Sequence, residues 1–408
     1  MSCTAIPVLE NRWGINLGIP VYLDNQATTP LDPIVLEAML PFFKENYGNA
    51  ASVHHSIGRD AKEAVERSRK LLAQALNARS REIIITSGAT ESINLAIRGI
   101  CEKNRDIGKH IITQNTEHKA VLDTYEIMAN DGWDITIVPV DSDGNVDPES
   151  VRNGMRQDTI LVSIMHANNE IGTIQPIAEI GAICKDKNVR FLVDASQSFG
   201  KLTIDVNKMN IDLLAATAHK IYGPKGIGLL YVRRNNPKVE LISQMTGGGH
   251  EFSYRSGTLP VPLVVGFAKA IEKCLEKMKN ENAWLKTLRD KMIDEIFTSH
   301  PNTILNGSRE NRLSNNINFC FPNIDAETLI IKMKGIACST GSACSSANLE
   351  PSHVIKALGR DSEMAHSSLR FSLGRFNTKE EIEFAIKEII DSVSMIKEKS
   401  PQKELINA

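Results

Sequence analysis

The chain has 408 residues, 47 Lys and Arg against 49 Asp and Glu, and 42% apolar residues. That is enough apolar material for a large core, and at roughly 100–200 residues per domain the length suggests two domains or three. No stretch approaches the roughly 18 consecutive apolar residues of a membrane span, and a net charge of −2 gives no general pull toward nucleic acid. The seven cysteines are sparse and odd in number, with no CxxC and no Cys/His spacing typical of zinc. A disulfide framework and a structural metal site are both poorly supported, and reduced thiols in a cytosolic protein are expected.

Residues 1–11 lack a basic segment followed by an apolar one, so they do not read as a secretory leader. A charged, Ala- and Leu-rich helix is expected over 56–76. Strands are expected over 82–86, 110–113, 135–140, 159–165 and 189–194, with helices over 92–98 and 119–130. This alternation argues for α/β architecture with a mainly parallel sheet. Two further strands, 213–217 and 227–232, flank a Lys- and Gly-rich loop and are expected to run antiparallel to the rest. A long helix from Pro262 to about His300 is expected to cross into a second domain. That domain contains the segments 315–321 (NNINFCF) and 326–333, a Ser-, Gly- and Cys-rich stretch over 339–348, and 369–373 ahead of a terminal helix over 379–399. An N-terminal arm (1–30), a large domain (31–277) and a small α+β domain (278–408) are the expected division.

Lys220 lies in AHKIYGPKG (218–226), a loop punctuated by Gly and Pro at a strand end. An isolated loop lysine is usually surface, but one that reaches a cleft is suited to Schiff-base chemistry. Three features favour the second reading. Asp194 ends an apolar strand, where parallel sheets place ligand contacts, and a carboxylate there can hold a pyridinium nitrogen protonated. SGATE (87–91) lies at a strand-to-helix turn, whose free N–H groups favour an anion such as phosphate; plain N-capping is the simpler alternative. His118 follows the strand at 110–113 and can stack on a flat ring. Together these features fit one ligand, pyridoxal phosphate.

The sequence resembles the cysteine desulfurases of the NifS/IscS type, which are fold-type I pyridoxal phosphate enzymes. The resemblance runs from Val21 to about Ser400. It rests on YLDNQATTP (22–30), TSGATES (86–92), TEHKAVL (116–122), HANNEIG (166–172) and VDASQSFGK (193–201). HKIYGPKGIG (219–228), RSGTLP (255–260), GSACSSANLEPS (341–352) and HSSLRFSLGRF (366–376) complete the ordered set. It implies a seven-stranded, mainly parallel sheet in a large domain beside a smaller α+β domain.

By the resemblance Lys220 is the Schiff-base lysine, and His118 stacks on the ring and serves in acid/base steps. Asp194 pairs with the pyridine nitrogen, Gln197 bonds the ring hydroxyl, and Asn169 lies near that hydroxyl and the substrate carboxylate. Ala89, Thr90, Thr217 and His219 contact the phosphate. Thr258 reaches the phosphate of the other subunit, which implies a homodimer with shared sites. Arg370 clamps the α-carboxylate of L-cysteine, a task that suits a planar guanidinium. Cys344 sits among Ser, Gly and Ala, where a thiol is accessible. The resemblance makes it the nucleophile that leaves with a persulfide while L-alanine is released. The sulfur then passes to an acceptor such as an iron–sulfur scaffold protein, or toward tRNA thiolation. No intrinsic metal is implied, though Cys344 could transiently ligate a nascent cluster. A cytoplasmic location is implied, or the mitochondrial matrix if the source is eukaryotic, with no membrane or direct nucleic-acid partner.

Four features depart from the family pattern. Cys338 replaces an apolar residue six positions before Cys344; a core thiol is the favoured reading and a sulfur relay the sharper one. EFSYR (251–255) stands where ERGMR is usual, NAAS (49–52) lacks a proline, and the tail past Ser400-Pro401 is short. The short tail bears on scaffold docking, not on the chemistry. The alternatives are a selenocysteine lyase, a small-amino-acid aminotransferase, which would not need Cys344, and a non-catalytic interaction protein that has kept the fold.

Overall fold

A computed structural model describes residues 20–341 and 350–399. The chain enters on β1 (Val21–Tyr22), followed by α1 (Pro33–Lys44) and α2 (Ser56–Gln74). Strands and helices then alternate through β2 (Ile83–Thr86), α3 (Ala89–Lys103), β3 (His110–Gln114), α4 (Lys119–Asn130), β4 (Asp134–Val138), α5 (Pro148–Gly154), β5 (Thr159–Ser163), α6 (Ile177–Asp186) and β6 (Arg190–Asp194). Next come β7 (Leu213–Thr217), β8 (Gly228–Val232) and the long α7 (Val261–Ser299). The remainder holds β9 (Ile304–Leu305), β10 (Asn316–Cys320), α8 (Ala326–Lys332), β11 (Ile336–Ala337), α9 (His353–Ala357), α10 (Ser362–His366), β12 (Ser368–Ser372) and α11 (Lys379–Lys399).

Seven strands form one sheet in the order β2-β8-β7-β6-β5-β3-β4. Each strand sends alternate side chains to opposite faces. Ile83 and Ile85 of β2, Val162 of β5 and Leu214 of β7 enter a core beneath α2, α6 and the first half of α7. Ile84, Leu161 and Leu213 point the other way, into a core beneath α3 and α4. The central strands are covered on both faces and read as continuous apolar runs, whereas the edge strand β4 leaves Asp134 and Ile137 exposed. The α/β expectation is borne out.

One strand differs from expectation. β7 runs parallel to β6, and β8 alone is antiparallel to its neighbours. Chain length explains the difference. Eighteen residues separate β6 from β7, enough for the crossover that a parallel neighbour needs. Only ten separate β7 from β8, and that loop turns back through positive φ at Tyr222 and Gly226.

α7 serves two cores. Val264, Phe267 and Ile271 pack under the large sheet, whereas Leu285, Met292 and Ile296 pack with β10, β12 and α11. The second core holds the antiparallel sheet β12-β10-β9. β1 pairs in parallel with β11, and Val21 and Leu23 join that same second core, which ties the N-terminal segment to the C-terminal part.

Candidate active site

The carboxyl ends of the parallel strands open onto a cavity of about 510 Å³. This is where α/β sheets present ligand-binding groups, because the loops and helix N-termini that follow the strands converge there. The cavity wall includes Ala89, Thr90, His118, Asn169, Asp194, Gln197, Thr217, His219, Lys220 and Arg370. Ala89 and Thr90 reach it from the turn after β2, His118 from the loop after β3, Asn169 from the loop after β5, Asp194 and Gln197 from the end of β6, Thr217, His219 and Lys220 from the end of β7, and Arg370 from β12.

Asp194 is the last residue of β6 and is 7% exposed. Its Oδ1 accepts from the Ser196 amide at 2.9 Å and the Ser196 hydroxyl at 2.5 Å, which fixes the carboxylate at the cavity floor. Lys220 closes the short 3₁₀ turn after β7. Its Nζ donates to the carbonyl of Gln26, which also accepts from Gln197 Nε2 at 3.0 Å. Thr29 stitches the same turn in place. Its hydroxyl donates to the His219 carbonyl at 2.9 Å and accepts from the Tyr222 amide at 2.7 Å. The arm before α1 is thus built into the lysine's setting.

His118 caps α4, and its Nδ1 accepts from the Ala120 amide at 3.0 Å. The neutral ring therefore carries its proton on Nε2. Burial lowers its pKa, Asp194 pulls it upward, and Lys220 adds to the lowering. Burial also pushes His219 down to about 4, helped by Lys220, Lys225 and Lys201.

α3 begins at Ala89 without a side-chain cap, so its first-turn amides are available to an anion. Glu91 accepts from the Ser87 amide at 2.7 Å and pairs with Arg255 at 2.7 Å. Burial pushes that carboxyl up, but the Arg255 and Ser87 bonds outweigh it and hold it below its usual value. Gln197 Oε1 and Asn169 Oδ1 are buried at the cavity without hydrogen-bond partners. Orphaned acceptors are rare inside proteins and signal a missing donor.

Arg370, on β12, is 2% exposed. Its guanidinium donates to the Asn169 carbonyl at 2.7 Å, to Asp24 Oδ1 at 2.7 Å and to Ser339 Oγ at 2.9 Å. Its Nε is buried without a partner. Thr258 does not line the cavity of its own chain; it is exposed on the loop before α7. Cys344 lies outside the described residues, while Gly341, three positions before it, lines the cavity. Among the described residues, no group of three or more His, Cys, Asp or Glu side chains is placed to hold a metal.

Several site residues carried no role in the sequence reading. Gln26 and Asp24 lie in YLDNQATTP, a motif noted only for its resemblance. Glu117 sits beside His118. It is fully enclosed and accepts from Gln114 Nε2 at 2.9 Å and the Met165 amide at 2.5 Å. Burial, reinforced by Asp194, pushes it up to about 8. No single-residue signal marks Gln26 or Asp24, whose partners Lys220, Gln197 and Arg370 are distant in sequence, and Glu117 is set by burial together with Gln114 and the Met165 amide. Cys338 packs against the second core, and burial pushes its thiol up to about 12.

The aminotransferase class-V family model matches residues 21–384. A mitosomal cysteine desulfurase from Trachipleistophora hominis is 49% identical over 391 residues, covering 94% of this chain and 88% of the relative. A cysteine desulfurase IscS from Anaeromyxobacter dehalogenans is 48% identical over 388 residues, covering 95% and 96%. Among solved structures, a NifS-like protein superposes with a TM-score of 0.86 at 37% identity, covering 92% of this chain and all of its own. The chain belongs to the aminotransferase class-V family and, within it, to the cysteine desulfurases.

Proposed function

We propose that this chain is a cysteine desulfurase that binds pyridoxal 5′-phosphate in the 510 Å³ cavity. It transfers sulfur from L-cysteine to Cys344 and leaves L-alanine. The observation that carries this reading is the convergence of Lys220, Asp194, His118 and the open start of α3 on that single cavity. The orphaned Gln197 and Asn169 oxygens fit a ring that brings a hydroxyl donor, and the uncapped amides of α3 fit its phosphate. In this reading Asp194 holds the pyridine nitrogen, and Ala89, Thr90, Thr217 and His219 hold the phosphate together with Thr258 of a second chain. His118 lies against the ring.

When bound, pyridoxal phosphate supplies an electron sink for the pair left at the substrate Cα. The chain's own groups do the rest. Arg370, its plane fixed by Asp24, Ser339 and the Asn169 carbonyl, receives the α-carboxylate. Lys220 Nζ takes the Cα proton. The Cys344 thiolate then attacks the substrate sulfur: an S–S bond forms, and the Cβ–S bond breaks with its pair left at carbon. A proton delivered to Cβ completes the methyl group of alanine. L-cysteine and a thiol become L-alanine and a persulfide, so no outside oxidant is consumed.

Covalent geometry supports this assignment of the nucleophile. Gly341 lines the cavity wall, and three peptide links separate it from Cys344 along the chain. Cys101, Cys184, Cys274 and Cys320 are buried free thiols, which suits a reducing compartment such as the cytosol or a mitochondrial matrix. We read the functional unit as a homodimer that hands its sulfur to an acceptor protein for iron–sulfur assembly.

The test is mass spectrometry of the loaded protein after incubation with L-cysteine, with alanine measured in parallel. One added sulfur on Cys344 and stoichiometric alanine are expected, and Cys344→Ala should lose both. Unchanged turnover in that variant would sink the assignment.

A further inference from the structure

Glu170 is not among the residues that touch the cavity, yet it links the cavity wall to both flanks of the Cys344 segment. It is 3% exposed in the turn after β5. Asn168 Oδ1 accepts from the Glu170 and Ile171 amides at 2.8 and 2.9 Å and so sets that turn. The Glu170 carbonyl accepts from Asn316 Nδ2 at 2.9 Å and Asn318 Nδ2 at 3.2 Å, both on β10. Its backbone is therefore anchored from two sides before its side chain is considered.

The carboxyl lies between two residues that are eleven positions apart. Glu170 Oε2 accepts from the Ser352 hydroxyl at 2.6 Å, and Ser352 Oγ in turn accepts from the Ile355 amide at 3.2 Å as the cap of α9. On the other side, Gly341 packs so closely that a Cβ there would sit 3.3 Å from both Cγ and Oε2 of Glu170. Gly341 also has φ +89°, a conformation that side chains disfavour. Its carbonyl accepts from Arg370 at 3.4 Å, and the neighbouring Asn169 carbonyl accepts from the same guanidinium. The turn 168–171 thus joins Asn169, Arg370 and both ends of the chain segment that carries Cys344.

We propose that Glu170 is a positioning residue for sulfur transfer: its buried carboxyl holds Gly341 and Ser352 in register with Arg370 and so sets where the Cys344 segment begins and ends. This rests on the desulfurase reading above. Fixing both ends of a tether raises the effective concentration of a group it carries, without any new contact at the reacting atoms. Ser352 supplies the hydrogen bond that a buried carboxyl needs. Burial still raises the Glu170 pKa, opposed by that bond and by the charges of His353 and Arg370.

The experiment compares loaded wild type, Glu170→Ala, Glu170→Gln and Ser352→Ala. Two signals are followed: cofactor absorbance before and after L-cysteine binds, and the rate of sulfur appearance on Cys344 by quenched mass spectrometry. The Ala variant is expected to keep the absorbance signals and to gain sulfur about tenfold to hundredfold more slowly. The Gln variant keeps an acceptor oxygen for Ser352 and is expected within about threefold of wild type. Ser352→Ala removes the same contact from its other end and is expected to slow sulfur gain with the absorbance response intact. If Glu170→Ala fails to fold, the Ser352→Ala arm decides. A wild-type rate in either Ala variant overturns the proposal. So does a Gln variant as slow as Glu170→Ala, or a loss of absorbance response in step with sulfur gain. Wild type that gains no sulfur on Cys344 overturns the desulfurase reading itself, a result distinct from the others.

Discussion

His166 leaves the end of β5 at 5% exposure, and burial pushes its imidazole down to about 4. In the unfolded chain the ordinary value is about 6.5. Between those values the unfolded state binds a proton that the folded state does not, so stability is lost as pH falls from about 6.5 toward 4. The loss attributable to His166 is on the order of 3 kcal/mol. Glu117 works in the opposite sense. Held up to about 8, it keeps its proton in the fold while the unfolded chain releases it above about 4.3, so its contribution is lost as pH rises toward 8. Urea unfolding at several pH values should show His166→Gln flattening the acidic limb and Glu117→Gln flattening the neutral one. A pH profile identical to wild type in both variants would show that these groups are not buried as described. Cys338 is a third residue-scale case. Its raised pKa leaves little thiolate, the form a sulfur relay needs. Cys338→Val is expected to pass sulfur from Cys344 at the wild-type rate in a single-turnover transfer assay.

Elements, more than single residues, explain the segment between β8 and α7. EFSYR departs from the family pattern, and the structure shows how it is held. Glu251, Phe252 and Ser253 all have positive φ, from 46° to 69°. The strain is offset by Glu251, whose carboxylate takes a two-pronged pair from Arg69 at 2.7 Å each and the Ile85 amide at 2.6 Å. The Arg69 and Arg234 guanidiniums both lie over the Phe252 ring, 5.5 and 4.5 Å from its centre. The segment is thereby fastened to α2 and β2, and Arg255 then ties it to Glu91 at the start of α3. Removing one partner of a buried pair leaves the other charge stranded. Glu251→Ala should therefore cost about 3–5 kcal/mol, seen as a lower urea midpoint. Arg69→Met in the same background should recover part of that loss, because the stranded cation is gone.

For the whole molecule, the exposed position of Thr258 gives the dimer proposal a sharp consequence. If each site takes Lys220 from one chain and Thr258 from the other, Lys220→Ala and Thr258→Ala homodimers are both impaired. A mixed dimer has one site missing both groups and one site intact. Mixing the two variants under exchange conditions should restore alanine production toward half the wild-type rate per dimer. No gain on mixing, with exchange verified, would place Thr258 outside the site. We also propose that the large and small domains divide within α7, between Cys274 and Leu285, where its buried side chains pass from one core to the other. Among the described residues, no helix is long and apolar enough to cross a membrane.

Local pattern was enough for much of this. Runs of four to seven residues, mostly apolar, marked the sheet strands, and α4 and α11 begin and end where periodicity placed them. Lys220, Asp194 and His118 stood out because strand ends are where such groups gather. Tertiary structure decided the rest. The direction of β7 depended on an eighteen-residue connection that carries no helix to announce a crossover. The contact of Asp24 with Arg370 joins residues 346 positions apart, and that of Glu170 with Ser352 spans 182. Periodicity compares neighbours two to four residues apart and has no access to such pairs. They exist because strand order brings distant turns to one sheet end, and because the second core, shared by β1 and β11, holds the first and last parts of the chain against that end.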